Sequence, residues 1–348
     1  MGSTGISRSS HPMMQPRSSG KVAGVHHYSR RKRRLERFAK GLVIIFVIFS
    51  LLFAGFRYAS FQPFEMLRNL WVTSAMTTMN HQYLAKWFFS DAEIQKIMDD
   101  NKAKTLGNSN PSIISRHSIT GDNGTKLIEI SQNGFKGYLL EIDNPARVQV
   151  AATRYLGKKG EKAEDIATEN GAVAVINGGM FDDPQGNGNG GQPLGILISG
   201  GRILYKDAGP TYDIIGMNNN NVLVLGHYTL AQIKQMGIRD AVTFSPFLVV
   251  DGKPAITQGD GGWGLAPRTA IGQTRNGKIL MLVIDGRQMG SIGATLKDVQ
   301  DIMLKYGAYN VANLDGGAST VLYYNNKVVN HPSSQYGERH APSFFVVK

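Results

Sequence analysis

The chain of 348 residues contains no cysteine. That excludes a disulfide framework, a thiolate nucleophile and any zinc site built on sulfur. His227, His331 and His340 show neither H-x-x-x-H nor H-x-H spacing, which argues against a histidine zinc centre as well. The main body also lacks an excess of charge. Of 38 basic and 26 acidic residues, 11 and one fall before residue 61, leaving 27 and 25 for the rest. A duplex-binding face needs clustered cations to displace counterions, so no nucleic-acid partner is expected despite a net charge of +12.

The third absence is local. Residues 41–56 carry no charged side chain, directly after Arg30-Arg31-Lys32-Arg33-Arg34, Arg37 and Lys40. With Arg57 snorkelling and apolar character resuming to Phe61, this reads as a transmembrane signal anchor over 41–61, behind a basic tail over 1–40 whose residues 1–29 are disordered. The positive-inside rule places the N-terminus in the cytoplasm and the rest outside a cell membrane crossed once. A cleaved signal peptide is the rival; no A-x-A site follows the run.

Beyond the anchor, apolar residues between Leu67 and Ile97 recur at helical spacing, and Ser90-Asp91 offers a cap between two helices. Residues 62–124 are therefore expected to form a helical stalk, ending in a polar linker from Lys102 to Gly124. The globular domain is expected over 125–348. There Gly171-Ala172-Val173-Ala174-Val175-Ile176-Asn177 resembles Gly307-Ala308-Tyr309-Asn310-Val311-Ala312-Asn313. Each block follows a helix, residues 161–169 in one case and a segment opened by Thr295-Leu296-Lys297-Asp298 in the other. Each helix follows a strand, 147–153 or 278–284. The expected fold class is α+β (or α/β), a mixed sheet with packed helices built from two β-α-β-like halves. A parallel crossover then brings Asp285 and Asp315 to one edge of the sheet.

Three strand ends carry a polar residue followed by glycine: Asn177-Gly178-Gly179, Asp285-Gly286-Arg287 and Asp315-Gly316-Gly317. Any one of them is an ordinary turn; three in one domain point to a site, where glycine lets a ligand approach backbone N–H groups. Pro267-Arg268-Thr269 places an arginine where it can present a planar fork to phosphate or carboxylate. Arg287 and Arg339 are further cations.

These blocks, with Pro193-Leu194-Gly195, Asn313-Leu314-Asp315-Gly316-Gly317-Ala318-Ser319-Thr320 and Glu338-Arg339, resemble in order the phosphodiester glycosidase family. Its namesake removes N-acetylglucosamine from a sugar phosphodiester, and its bacterial members are labelled exopolysaccharide-biosynthesis proteins. The resemblance covers residues 125–348, with Ala318 where the family usually has a third glycine. It implies an extracellular hydrolase cleaving the bond between an anomeric carbon and a phosphate oxygen, acting on a sugar-phosphate polymer or glycoconjugate of the cell surface or cell wall. On that reading Asp315 is nucleophile or general base, Asp285 the partner carboxylate, and Asn177 orients sugar or water. Substrate binding falls to Arg268, Gly178, Gly179, Thr269, Arg287, Gly316, Gly317, Ser319, Thr320 and Arg339. Phosphate leaves as a stable anion, so arginine and N–H groups replace much of a general acid's work.

Gly186-Asn187-Gly188-Asn189-Gly190-Gly191 fits a dinucleotide fingerprint in letters only, since no strand leads into it and Pro193 follows where a helix should open. No cofactor is expected; a calcium ion held by Asp182, Asp183, Asn187 and Asn189 is a weaker alternative to a substrate-covering loop. A non-catalytic polysaccharide- or cell-wall-binding domain is the rival function.

Overall fold

The computed structural model describes residues 2, 23–78, 81–115, 124–132, 134–186, 188–334 and 337–348, with backbone only for 23–30 and 185. Most of the tail expected over residues 1–29 lies outside them. Two compact units result, residues 1–60 and 61–348. The first is one helix, α1 (Ala23–Tyr58). Within it Arg31–Tyr58 holds an 18-residue window of mean hydropathy 2.4 with none of it buried. At ~1.5 Å per residue this stretch is long and apolar enough to cross a membrane.

The second unit carries helices α2 (Phe64–Met76), α3 (Tyr83–Lys86), α4 (Asp91–Asn101), α5 (Ala163–Asn170), α6 (Leu230–Gln235) and α7 (Leu296–Lys305). A seven-stranded sheet is built from β1 (Thr125–Gln132), β2 (Phe135–Ile142), β10 (Phe247–Val250), β11 (Lys253–Pro254), β12 (Arg268–Thr274), β13 (Ile279–Ile284) and β14 (Ala308–Asn313), ordered β1-β2-β13-β12-β14-β10-β11. A five-stranded sheet holds β3 (Val148–Ala152), β4 (Ala174–Asn177), β15 (Leu322–Tyr324), β16 (Lys327–Val328) and β17 (Ser343–Val347), ordered β16-β15-β4-β17-β3. The third comprises β5 (Ile196–Ser199), β6 (Arg202–Lys206), β7 (Tyr212–Asn218), β8 (Leu223–Tyr228) and β9 (Ile238–Val242), ordered β6-β5-β9-β7-β8.

All three sheets supply one core, in which Met281 and Ala312 meet Ile176 and Phe345 from the second sheet and Ile215 and Val242 from the third. Strand β13, Ile-Leu-Met-Leu-Val-Ile, is apolar at every position because both its faces are covered. Its other face receives α7, whose Leu296, Val299, Ile302 and Met303 pack on Ala270, Leu280 and Val311. Full burial of each such side chain contributes ~1.5–3 kcal/mol. The reciprocal Thr295–Asp298 capping box opens α7 as the sequence indicated, and Ser90–Glu93 forms another at α4.

Both β-α-β halves are present. In β3-α5-β4 and β13-α7-β14 the two strands run parallel, each pair split by one antiparallel strand, β17 or β12, so hydrogen-bonded neighbours are antiparallel throughout these regions. The repeated Gly-Ala has a local cause. Gly171 and Gly307 each end their helix at positive φ, +59° and +80°, which a side chain adopts only with strain.

The stalk expected over 62–124 is not a separate element. Helix α2 lies on the loop 259–265, where Thr73 donates to Asp260 Oδ2, Thr77 Oγ1 donates to the Trp263 carbonyl and Leu265 N–H donates to Ser74 Oγ. Residues 102–110 are not a free linker. Lys104 N–H donates to Ala255 O at 3.0 Å and Ser109 N–H to Leu225 O at 2.8 Å, making this stretch a strap across the domain. Polar side chains facing a neighbouring loop carry no apolar periodicity, so the sequence pattern did not register this docking.

Candidate active site

The ends of β13 and β14 and the start of β12 in the first sheet meet the end of β4 and the start of β17 in the second, joined by Asp315 N–H on Gly178 O at 3.2 Å. Register places Arg268 opposite Ile284 and Ala270 opposite Asn313, so Asp315 lies beside Arg268 and Asp285 one step further along. Asp285 and Asp315 thus share an edge, as the crossover required, with one strand between them and about 10 Å from strand to strand.

Their environments differ. The Asp315 carboxyl is pushed up to about 6, first by burial and further by the charge of Asp183; the Ser319 hydroxyl, the Gly316 N–H at 3.0 Å and Arg339 oppose the shift. Asp285 is 3% exposed and bonded to a different turn. Its Oδ1 accepts from Asn330 Nδ2 at 3.1 Å and His331 N–H at 2.8 Å, pinning the turn after β16. The charge of Asp183 acts on Asp315, while the Asp285 carboxylate is engaged by Asn330 and His331.

Asp183 is held by Arg339, whose Nη2 and Nη1 reach Oδ1 and Oδ2 at 2.7 and 3.1 Å and also donate to the carbonyls of Gly188 and Gly186. The Arg339 guanidinium lies 5.6 Å from the Phe181 ring centroid. Arg339 thus clamps Asp183, Gly186 and Gly188 together. The clamp also occupies Asp183 with a cation, which leaves a poor calcium ligand; Asn187 lies outside the described residues. Among the described residues no group of three or more His, Asp or Glu is placed to hold a metal ion.

Asn177 is 1% exposed and serves as a joint between sheets. Its Nδ2 donates to the Asp315 carbonyl at 2.5 Å, while its Oδ1 accepts from Thr269 Oγ1 at 2.8 Å and Val321 N–H at 3.1 Å. Neither Asn177 nor Thr269 is turned to a ligand; both fix where Asp315 sits. Asn177→Ala would leave a hydroxyl, an N–H and a carbonyl short of partners at ~1–3 kcal/mol each. We expect it to lose at least about 3 kcal/mol in denaturant unfolding.

Gly178 and Gly179 are set by close approach. A Cβ on Gly178 would fall 2.8 Å from Ser343 O, and one on Gly179 2.7 Å from Thr243 O. Their N–H groups, expected to meet substrate, already donate to Ser343. Gly316 and Gly317 are likewise occupied, with Gly317 N–H on Pro267 O at 3.0 Å. The Ser319 hydroxyl favours the ionised form of Asp315. Thr320 Oγ1 is buried with no hydrogen-bond partner among the described residues.

Arg268, 3% exposed, differs most from expectation. Its Nε donates to Ala294 O at 3.0 Å and its Nη2 to Trp263 O and Gly264 O at 2.8 and 2.7 Å. Burial lowers its pKa to about 10. The edge of the fork that would grip a phosphate holds the carbonyls of Trp263 and Gly264, from the loop under α2, and of Ala294, just before α7. Arg287 is the cation left over. It sits at φ +58°, and its guanidinium lies over Gly317, where an added Cβ would be 3.4 Å from Nη2. Desolvation lowers its pKa, and no ion pair among the described residues engages it. A non-glycine residue in left-handed backbone costs ~1–3 kcal/mol and recurs at functional sites.

Glu338, from the same motif as Arg339, accepts the Ala163 N–H and so caps α5, whose N-cap Lys162 has no side-chain bond. Asp183 as the partner carboxylate was not anticipated. The signal available was its place six residues after the strand-ending Asn177.

Residues 170–348, just over half the chain, match the phosphodiester glycosidase family, and the chain belongs to that family. It is 26% identical over 200 residues to the N-acetylglucosamine-1-phosphodiester alpha-N-acetylglucosaminidase of Bos taurus, covering 51% of this chain and 36% of that one. It is 31% identical over 157 residues to the SPbeta prophage-derived uncharacterized protein YomE of Bacillus subtilis (strain 168), covering 41% and 24%. The chain thus spans about a third or less of these relatives' lengths. The zebrafish N-acetylglucosamine-1-phosphodiester alpha-N-acetylglucosaminidase catalytic domain, auto-inhibited by its pro-peptide, shares the fold at a TM-score of 0.56 and 22% identity, over 70% of this chain and 88% of that one.

Proposed function

We propose that the chain hydrolyses the glycosyl–phosphate bond of a sugar-1-phosphodiester, with Asp315 as general base. The supporting observation is a buried carboxyl tuned to about 6 beside an ion-paired second carboxylate, at the strand edge where the family motif falls. A base works best with a pKa near the operating pH. Asp315 takes a proton from water as its oxygen bonds the anomeric carbon. The carbon–oxygen bond to phosphate breaks and its electron pair leaves on the phosphate oxygen, which is stable as an anion and needs no proton. Asp183 supplies negative charge near the oxocarbenium-like centre, and Arg287 faces the departing phosphate. With α1 as anchor and the N-terminus in the cytoplasm, the site works outside the cell membrane on surface or cell-wall polymers. A domain that only bound such polymers would gain nothing from an aspartate held at a cost in stability.

The test is release of free sugar from the methyl phosphodiester of N-acetylglucosamine 1-phosphate by the full chain in detergent. Release supports the reading; none across several sugars would sink it. Arg287→Gly separates strain from binding. We expect KM to rise at least about tenfold while relief of the backbone strain adds ~1 kcal/mol of stability.

A further inference from the structure

A cavity of about 340 Å³ has neither Asp315 nor Asp183 in its lining, and adjoins that site through Trp263, which bonds Arg268, and Ser245, which bonds Asn313. It opens at the seam of two sheets. Phe247 begins β10 in the first, whereas Asp213 and His227 lie on the paired strands β7 and β8 of the third. Trp263 closes one side, and the strap contributes Lys102 and Lys104.

Each wall is fixed. His227 Nδ1 bonds Asp213 Oδ1, which orients the imidazole. The His227 ring stands 5.8 Å from Phe247, and Trp263 lies 6.1 Å from Phe244. The strap is tied down by Lys104 N–H on Ala255 O, a bridge from Lys102 to Gly261, and His227 N–H on Asn108 Oδ1 at 2.8 Å. With Asp213 paired, the two exposed lysines leave the mouth positive.

We propose that this cavity is a second carbohydrate site, taking a single pyranose that bears one anionic group. Its volume is at the lower end of small-molecule sites, ~300–1,000 Å³, which suits a monosaccharide unit better than a longer chain. Indole and phenyl rings offer flat apolar faces to the C–H face of a pyranose. His227 supplies a directional partner for a hydroxyl, and Lys102 and Lys104 match a carboxylate or phosphate at the rim. The strap forms one wall, so the segment joining α4 to the sheets is part of the binding surface.

The experiment is calorimetric titration of the full chain in detergent with glucuronate, glucose 6-phosphate, glucose and inorganic phosphate. The anionic sugars are expected to bind one to one, the first two arms telling carboxylate from phosphate, with glucose and phosphate each at least tenfold weaker. Replacing both Lys102 and Lys104 by Ala should weaken the anionic sugars at least tenfold and leave glucose unchanged. His227→Gln should weaken all three sugars. Asp315→Asn should bind them as wild type does, which separates this site from the proposed hydrolytic one; sugar release by wild type is scored independently. Unfolding temperatures identify any variant that fails to fold. The proposal is overturned if wild type binds none of the sugars, if folded lysine and histidine variants bind them unchanged, or if Asp315→Asn abolishes binding.

Discussion

Asp315→Asn is expected to lower kcat/KM by ~10²–10⁴-fold, the range typical of a removed general base, while making the protein more stable near neutral pH. The two effects share one cause. A free aspartate titrates near 3.8, and Asp315 is pushed up to about 6. Between those values the native state holds a proton that the unfolded chain has released, so stability falls as pH rises through the interval. Ionising Asp315 in the fold costs about 3 kcal/mol by this difference. The amide never ionises, so the variant should exceed wild type by about 1–3 kcal/mol above pH ~7 and match it near pH ~4, allowing for altered bonds to Ser319 and Gly316. Denaturant unfolding across pH reads the stability, and sugar release reads the rate. The wild-type rate should fall below an inflection near 6, where the base becomes protonated. A variant of equal or lower stability at every pH would show that Asp315 carries no such burden.

Arg339→Ala should be the most damaging single change outside the core. It leaves Asp183 as an unpaired, mostly buried carboxylate and takes partners from the Gly186 and Gly188 carbonyls. Removing one partner of a buried pair costs ~3–5 kcal/mol, on the order of 10 °C in unfolding temperature for a unit of this size. Loss of that cation also removes a stabiliser of the Asp315 carboxylate. The acid limb of the pH–rate profile should therefore move to higher pH. Asp183→Asn in the Arg339→Ala background should recover part of both losses, because the uncompensated charge is gone. Additive losses in the double variant would break the link between clamp and base.

Helix caps and strand ends were legible because they are local. Thr295 with Asp298, Gly171 and Gly307, and the apolar run of β13 each announce themselves within a few residues, and from them the two crossovers and the shared edge of Asp285 and Asp315 follow. Which way a side chain turns at that edge was not legible. Asp285 and Asp315 stand in the same Asp-Gly context, yet one meets Asn330 and His331, some 45 residues on, and the other meets Asp183 from a loop far upstream. Arg268 gave the same motif signal whether its fork faced a phosphate or the carbonyls of Trp263, Gly264 and Ala294. The sheet of β5 to β9 has only the six-residue α6 among its strands, so a search for alternating strand and helix passed over it.

Strand β17 lies between β3 and β4, strands that precede it by more than 160 residues. A growing chain that has produced β3 and β4 but not residues 343–347 carries two strand edges with a gap between them. Contacts of such long sequence separation form late and slowly. The second sheet, and with it the Asn177 joint that sets Asp315, therefore closes only after Ser343–Val347 has arrived. The candidate site assembles only once those strand residues stand beside β3 and β4.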